Sequence, residues 1–167
     1  RDAIGGLWEE IGSLQLEFLR SRGLQSRHKL LDVGCGSLRG GIHFVRYLEQ
    51  NHYFGIDLNQ ALIEAGYERE IAAANVAHKL DKSNLQCSAD FNFDAFSGEV
   101  DYALAFSLFT HLPLNAIRIC LEKIESVVAS DGVFYATIFE RPIGSPSHEM
   151  QIHQPGEVRT FGNADPY

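Results

Sequence analysis

The sequence predicts an α/β domain built on a doubly wound, mostly parallel sheet. Two observations carry that expectation. Short apolar runs alternate with stretches of helical period through residues 28–140, an order that right-handed crossovers convert into a parallel sheet covered on both faces. The first of these runs also ends in glycines, "LLDVGCGSLRGG", at a strand-to-helix junction.

The elements follow in order. In "AIGGLWEEIGSLQLEFLRSRG", Ile4, Leu7, Trp8, Ile11, Leu14 and Phe18 recur at three- and four-residue steps, and Gly23 stands where a C-terminal cap belongs. "KLLDVG" reads as strand one, and "LRGGIHFVRYLEQ" as a helix with Ile42, Val45 and Leu48 on one face. "HYFGID" is strand two, followed by one or two helices in "NQALIEAGYEREIAAANVAHKL" that Asn59 is placed to cap. "NLQCSAD" is a short third strand and "VDYALAFS" a buried fourth. "PLNAIRICLEKIESVVAS" carries Ile117, Leu121, Ile124 and Val128 on one helical stripe, with Pro113 near its first turn. Asp131–Gly132 reads as the turn into "VFYATIFE", strand five. Beyond Glu140, prolines and glycines at 142, 144, 146, 155, 156, 162 and 166 break every period, so 141–167 reads as an irregular tail. The chain is thus expected to be one domain, with a helical cap over 1–27 and a ligand-binding core over 28–140.

Composition narrows the function. The 167 residues suit a single domain, and the net charge of -8 with a pI near 5.3 lacks the basic footprint that phosphates require, so nucleic acid is not the expected partner. There is no apolar run of membrane-spanning length and no signal-peptide pattern. Cys35, Cys87 and Cys120 are odd in number, far apart and without a CxxC pair, which fits reduced usage in the cytoplasm and no zinc cage. His148, Glu149 and His153 look superficially like a zinc-protease motif, but the histidines are five apart rather than four, and no metal site is expected.

In open α/β sheets, ligands bind beyond the carboxyl ends of the strands near the switch in strand order, where the glycine turn falls. Gly34 and Gly36 can take positive φ and let a ligand approach the main chain. Asp57 ends strand two about twenty residues on, where a carboxylate can accept both ribose hydroxyl protons, so the pair points to an adenosine-containing ligand. A dinucleotide fingerprint wants a third glycine where this chain has Arg39. The acidic Asp32, two positions before the first glycine, would also repel a pyrophosphate and attract a cationic amino-acid moiety. That combination favours S-adenosylmethionine over NAD.

"LLDVGCGS" followed by "YFGID" resembles the first two motifs of the class I S-adenosylmethionine-dependent methyltransferases, and the likeness runs through strands one to five. The resemblance implies a Rossmann-like sheet, S-adenosylmethionine as cofactor and S-adenosylhomocysteine as product. It implies that Gly34, Cys35 and Gly36 line the methionine portion, that Asp57 holds the ribose and that Leu58 packs on adenine. It likewise places Ala89, Asp90 and Phe91 around adenine, with Asp90 near the exocyclic amine, and Phe106 and Ser107 beside the sulfonium. The opening helix is similar to one that covers the cofactor in some bacterial members; covering the sheet is the other reading of Trp8 and Ile11. Arg39 either pairs on the surface or approaches the cofactor carboxylate.

Methyl transfer chiefly needs alignment of donor and acceptor, plus a base when the acceptor must lose a proton. His111 in "SLFTHLP" is the candidate base; capping the next helix is its structural alternative. The expected activity is transfer of a methyl group to an O or N atom of a small molecule. A binding or partner domain without turnover is the alternative, and a NAD-dependent oxidoreductase stands behind both. The family sheet has seven strands and only five are legible here, although "EVRTFG" has the look of an edge strand. The chain is therefore expected to stop short of the full domain, or to have its tail replaced by a partner's. Acceptor identity and oligomeric state are not written in the sequence.

Overall fold

A computed structural model describes residues 7–94, 96, 100–140, 143–144, 150–153 and 158–161. Five parallel strands form one sheet: β1 Leu30–Val33, β2 Tyr53–Asp57, β3 Leu85–Cys87, β4 Val100–Ala105 and β5 Val128–Ala136, in the order β3-β2-β1-β4-β5. The strand order reverses at β1, which has β2 on one side and β4 on the other, and ligands of such sheets bind beyond that reversal.

Alternation along each strand divides the apolar residues between two faces. Leu30, Tyr53, Leu85 and Leu104 face a core completed by Leu19 of α1 (Trp8–Ser21), Phe44 and Val45 of α2 (Gly41–Tyr47) and Ile63 of α3 (Gln60–Ala65). Leu31, Val33, Phe54, Ile56 and Ala103 face the other way, under Phe93, Phe96, and Cys120 and Ile124 of α4 (Leu114–Ile124). Burial on both faces explains why these strands read as apolar runs rather than alternating ones.

Local signals hold where they are stereochemical. Gly23 has φ +101°, and the bonds Leu24 N–H to Leu19 O and Gly23 N–H to Arg20 O close α1 in a Schellman motif whose Leu19 and Leu24 are both buried. The Asn59 side chain accepts from the amides of Ala61 and Leu62 and so caps α3, which continues as a π-helical turn over Gly66–Ile71.

Three expectations are corrected. The inward face of α1 is Trp8, Gly12, Gln15 and Leu19, while Leu7, Leu14 and Phe18 are 62, 51 and 37% exposed. Close approach selects that face: a Cβ on Gly12 would stand 2.5 Å from the Arg39 carbonyl, so a glycine and a flat amide meet α2 where leucines do not fit. Secondly, α4 stops at Ile124, and Val128 opens β5 opposite Val100 instead of extending the helical stripe. Leu121, expected on that stripe, is 44% exposed. The third concerns Asp131–Gly132, which lies inside β5 in a bulge, where the pairing jumps from Val100↔Val128 to Tyr102↔Val133.

Two described segments of the tail are strands, where the prolines and glycines suggest none. Met150–His153 (β6) and Val158–Phe161 (β7) pair antiparallel in a separate two-stranded sheet. The strand expected in "EVRTFG" therefore finds its partner before it in the chain, not after.

Candidate functional site

The carboxyl ends of β1, β2 and β3 and the segment after β4 enclose a cleft of about 100 Å³. Its walls are Val33, Gly34, Ile56, Asp57, Leu58, Ser88, Ala89, Phe91, Leu108, Leu112 and Ala116. Gly34 (φ +82°) and Gly36 (φ +53°) turn the chain out of β1 in the left-handed region, where a side chain would be strained. Nothing stands within 4 Å of the position a Cβ on Gly36 would occupy, so the main chain there is open to a bound molecule.

Asp57 pins this turn. One carboxylate oxygen accepts the Gly36 N–H at 2.8 Å, and the other accepts the Asn59 N–H at 2.9 Å. The turn is also tied to β2 through the amides of Gly34 and Cys35, which both donate to the Ile56 carbonyl. Each Asp57 oxygen keeps further lone-pair capacity toward the cleft.

Asp32 lies beneath the turn rather than in the wall. It is 4% exposed and accepts a 2.7 Å hydrogen bond from the Tyr53 hydroxyl. Burial pushes its carboxyl up to about 7; the Tyr53 bond opposes this and the Asp57 charge adds to it. Cys35 is buried, with its sulfur packed toward Gly55, and burial first, then the charges of Asp32 and Asp57, push its thiol well up. Such a thiol is no nucleophile. Cys35 and Gly36 therefore offer a ligand their main chain rather than side chains.

Of the residues expected to bind, Gly34, Asp57, Leu58, Ala89 and Phe91 meet around the cleft, and Leu58 is 67% exposed at its lip. Asp90 is outside the wall: Ser88 Oγ donates to its Oδ1 at 2.7 Å, and Lys123 Nζ stands 3.8 Å from its Oδ2. Phe106 packs on the α1–α3 side of the sheet, and Ser107 is exposed beyond β4 with φ +59°, its amide donating to the Thr137 hydroxyl at 2.6 Å. Arg39 is half-buried beside α1, and burial lowers its pKa. His111 is exposed on a short 3₁₀ turn, next in sequence to the cleft residue Leu112. His148 and Glu149 lie outside the described residues, and His153 ends β6.

Sequence reading missed Val33, Ile56, Ser88, Leu108, Leu112 and Ala116. Their only signal is position: Val33 precedes Gly34, Ile56 precedes Asp57, Ser88 precedes Ala89, and Leu108 and Leu112 bracket His111 in "SLFTHL".

The wall fits an adenosine-bearing cation. Among the described residues it holds one carboxylate, no lysine or arginine, and otherwise apolar side chains plus a serine and a glycine turn. An apolar slot suits a heteroaromatic ring and a carboxylate suits a diol, whereas a pyrophosphate would find no cationic side chain in this wall.

The comparisons agree with this geometry. A family profile described as a methyltransferase domain matches residues 31–134. Among solved structures, PKMT2 from Rickettsia typhi in complex with AdoHcy superposes with a TM-score of 0.56 at 23% identity, over 68% of this chain and 21% of that one. Magnesium protoporphyrin IX methyltransferase (ChlM) from Synechocystis PCC 6803 with bound SAM gives 0.58 at 12% identity, over 72% and 54%. An S-adenosylmethionine-dependent methyltransferase from Clostridium acetobutylicum ATCC 824 gives 0.61 at 14%, over 80% and 51%. The chain thus spans between a fifth and about half of the length of these three proteins. The profile, the strand order and the glycine turn together show that this chain belongs to the methyltransferase-domain family, with the class I, Rossmann-like sheet.

Proposed function

We propose that this domain binds S-adenosylmethionine in the cleft beyond β1 and β2 and transfers its methyl group to an O or N atom of a small molecule. The observation that carries the cofactor is the pairing of an open glycine turn with Asp57, in a wall free of cationic side chains among the described residues. When bound, the cofactor supplies an activated methyl group on a sulfonium. Gly34 and the Cys35–Gly36 main chain would hold the methionine portion, and Asp57 would accept from the ribose hydroxyls. Leu58, Ala89 and Phe91 would enclose adenine, with Asp90 behind them outside the wall, while Ser107 would edge the reacting end and Phe106 would back it from the α1–α3 side of the sheet. Buried under the turn, Asp32 acts on the methionine portion through position rather than contact. Arg39 belongs to the support of α2 in this reading.

His111 is the proposed base, taking the acceptor's proton at its ring nitrogen as the new bond to carbon forms. Its exposure beside Leu112 supports the role. Replacing it with alanine is expected to slow turnover by roughly 10²–10⁴-fold at saturating cofactor without changing S-adenosylhomocysteine affinity. The acceptor class is tested with methyl-labelled cofactor and a cell extract divided into small-molecule, protein and nucleic-acid fractions. Label entering the small-molecule fraction supports the proposal; label confined to protein or nucleic acid contradicts it.

A further inference from the structure

Phe91 reaches the cleft by an unfavourable route. It is not a glycine, yet it has φ +56°, in the left-handed region that bulky side chains avoid. Something must hold that conformation. The peptide that joins Asp90 to Phe91 is fixed at its carbonyl: Lys123 Nζ donates to Asp90 O at 2.6 Å. Rotation about the bond following this peptide is φ of Phe91, so the orientation of the peptide plane and the direction of the Phe91 ring are coupled. On the other side, Ser88 Oγ accepts the Asn92 amide at 3.0 Å and donates to Asp90 Oδ1, closing the loop on itself. Lys123 comes from α4, whose Ala116 lines the cleft, and its Asp90 Oδ2 contact at 3.8 Å adds an exposed ion pair of little worth. The carbonyl bond, charge-assisted and short, is the stronger of the two.

We propose that Lys123 is a positioning residue for the cleft: through the Asp90 carbonyl it holds the 88–92 loop in the form that presents Ala89 and Phe91 to the adenine ring. The ligand part of this statement rests on the cofactor reading above; the loop part does not. Ser88, Ala89 and Phe91 form one wall of the cleft, so a loosened loop costs the ligand a wall that must be ordered on binding.

The test uses the intact chain and the variants Lys123→Met and Lys123→Arg. Methionine keeps the aliphatic stem but has no donor, and arginine keeps donors of the same charge. Hydrogen exchange over residues 88–94 is read without ligand, and S-adenosylhomocysteine is then titrated calorimetrically. We expect exchange in this segment to quicken about tenfold in Lys123→Met and to recover in Lys123→Arg, as for the loss and return of one hydrogen bond to a charged group. The dissociation constant should rise roughly three- to tenfold in Lys123→Met by the same reckoning. Unchanged exchange in Lys123→Met overturns the proposal, as does faster exchange spread over the whole domain with a lowered Tm. Unchanged affinity, in a chain that does bind, also overturns it. A wild type that binds no S-adenosylhomocysteine defeats the cofactor reading instead, and the exchange arm still decides whether Lys123 orders the loop.

Discussion

At the scale of single residues, the carboxylates of Asp32 and Asp57 stand in contrast. Two acids end up near one glycine turn, and their surroundings give them different work. Asp57 is half-buried, receives two backbone N–H bonds and borders the cleft. Asp32 is sealed in with Tyr53, and its pKa is raised to about 7 from an ordinary value of 3.8. A folded-state pKa above the unfolded one means that the folded protein holds the proton more tightly between those values. Stability from this group is therefore fully present below about pH 4 and falls as pH rises through about 7. Asp32→Asn keeps an acceptor for Tyr53 and removes the buried charge. It should stabilise the protein at pH 8 by a few kcal/mol at most, and flatten the decline between pH 5 and 8. Chemical denaturation of both proteins across that range checks it. Gly36→Ala meets no neighbour but must hold φ +53°, so about 1 kcal/mol of stability should be lost, seen as a lower urea midpoint.

At the scale of elements, what was legible in the sequence was what backbone stereochemistry writes locally. Gly23 at the end of α1, Asn59 before α3 and the glycine turn after β1 can each be read without knowing the fold, because the constraint lies within a few residues. The faces of α1 and the end of α4 were not. Periodicity assigns Leu14 and Phe18 inward, yet the α1–α2 contact needs the small Gly12 and turns those residues out. Val128 continues a helical stripe in sequence but pairs with Val100 in space, and nothing local announces a strand partner 28 residues earlier. Gly132 shows the same gap: it reads as a turn glycine and serves a bulge. A Cβ there would sit 2.9 Å from the Asp101 carbonyl and 3.0 Å from that of Val100. Gly132→Ala should therefore cost about 1–3 kcal/mol by forcing β4 and β5 apart, measured as a drop in urea midpoint. Asn59→Ala should cost about 1 kcal/mol through loss of the α3 cap.

At the scale of the whole molecule, the fold and the position of the site share one origin. Reversal of strand order at β1 opens a crevice at the carboxyl ends, and the chain leaves β1 there through glycines because a side chain would fill the space. That much is legible from "LLDVGCGS" and "YFGID", since motif and topology specify each other. The far wall is not: Leu108, Leu112, Ala116 and the Lys123 tether come from segments well downstream of both motifs and arrive only by folding. The central claim, an adenosyl amino acid held by the glycine turn and Asp57, is tested most directly by calorimetric titration of the wild type and Asp57→Ala with S-adenosylhomocysteine, and with NAD as control. The account predicts saturable binding of S-adenosylhomocysteine alone, lost in Asp57→Ala. Binding of NAD in its place, or an Asp57→Ala protein that binds as the wild type does, would contradict it.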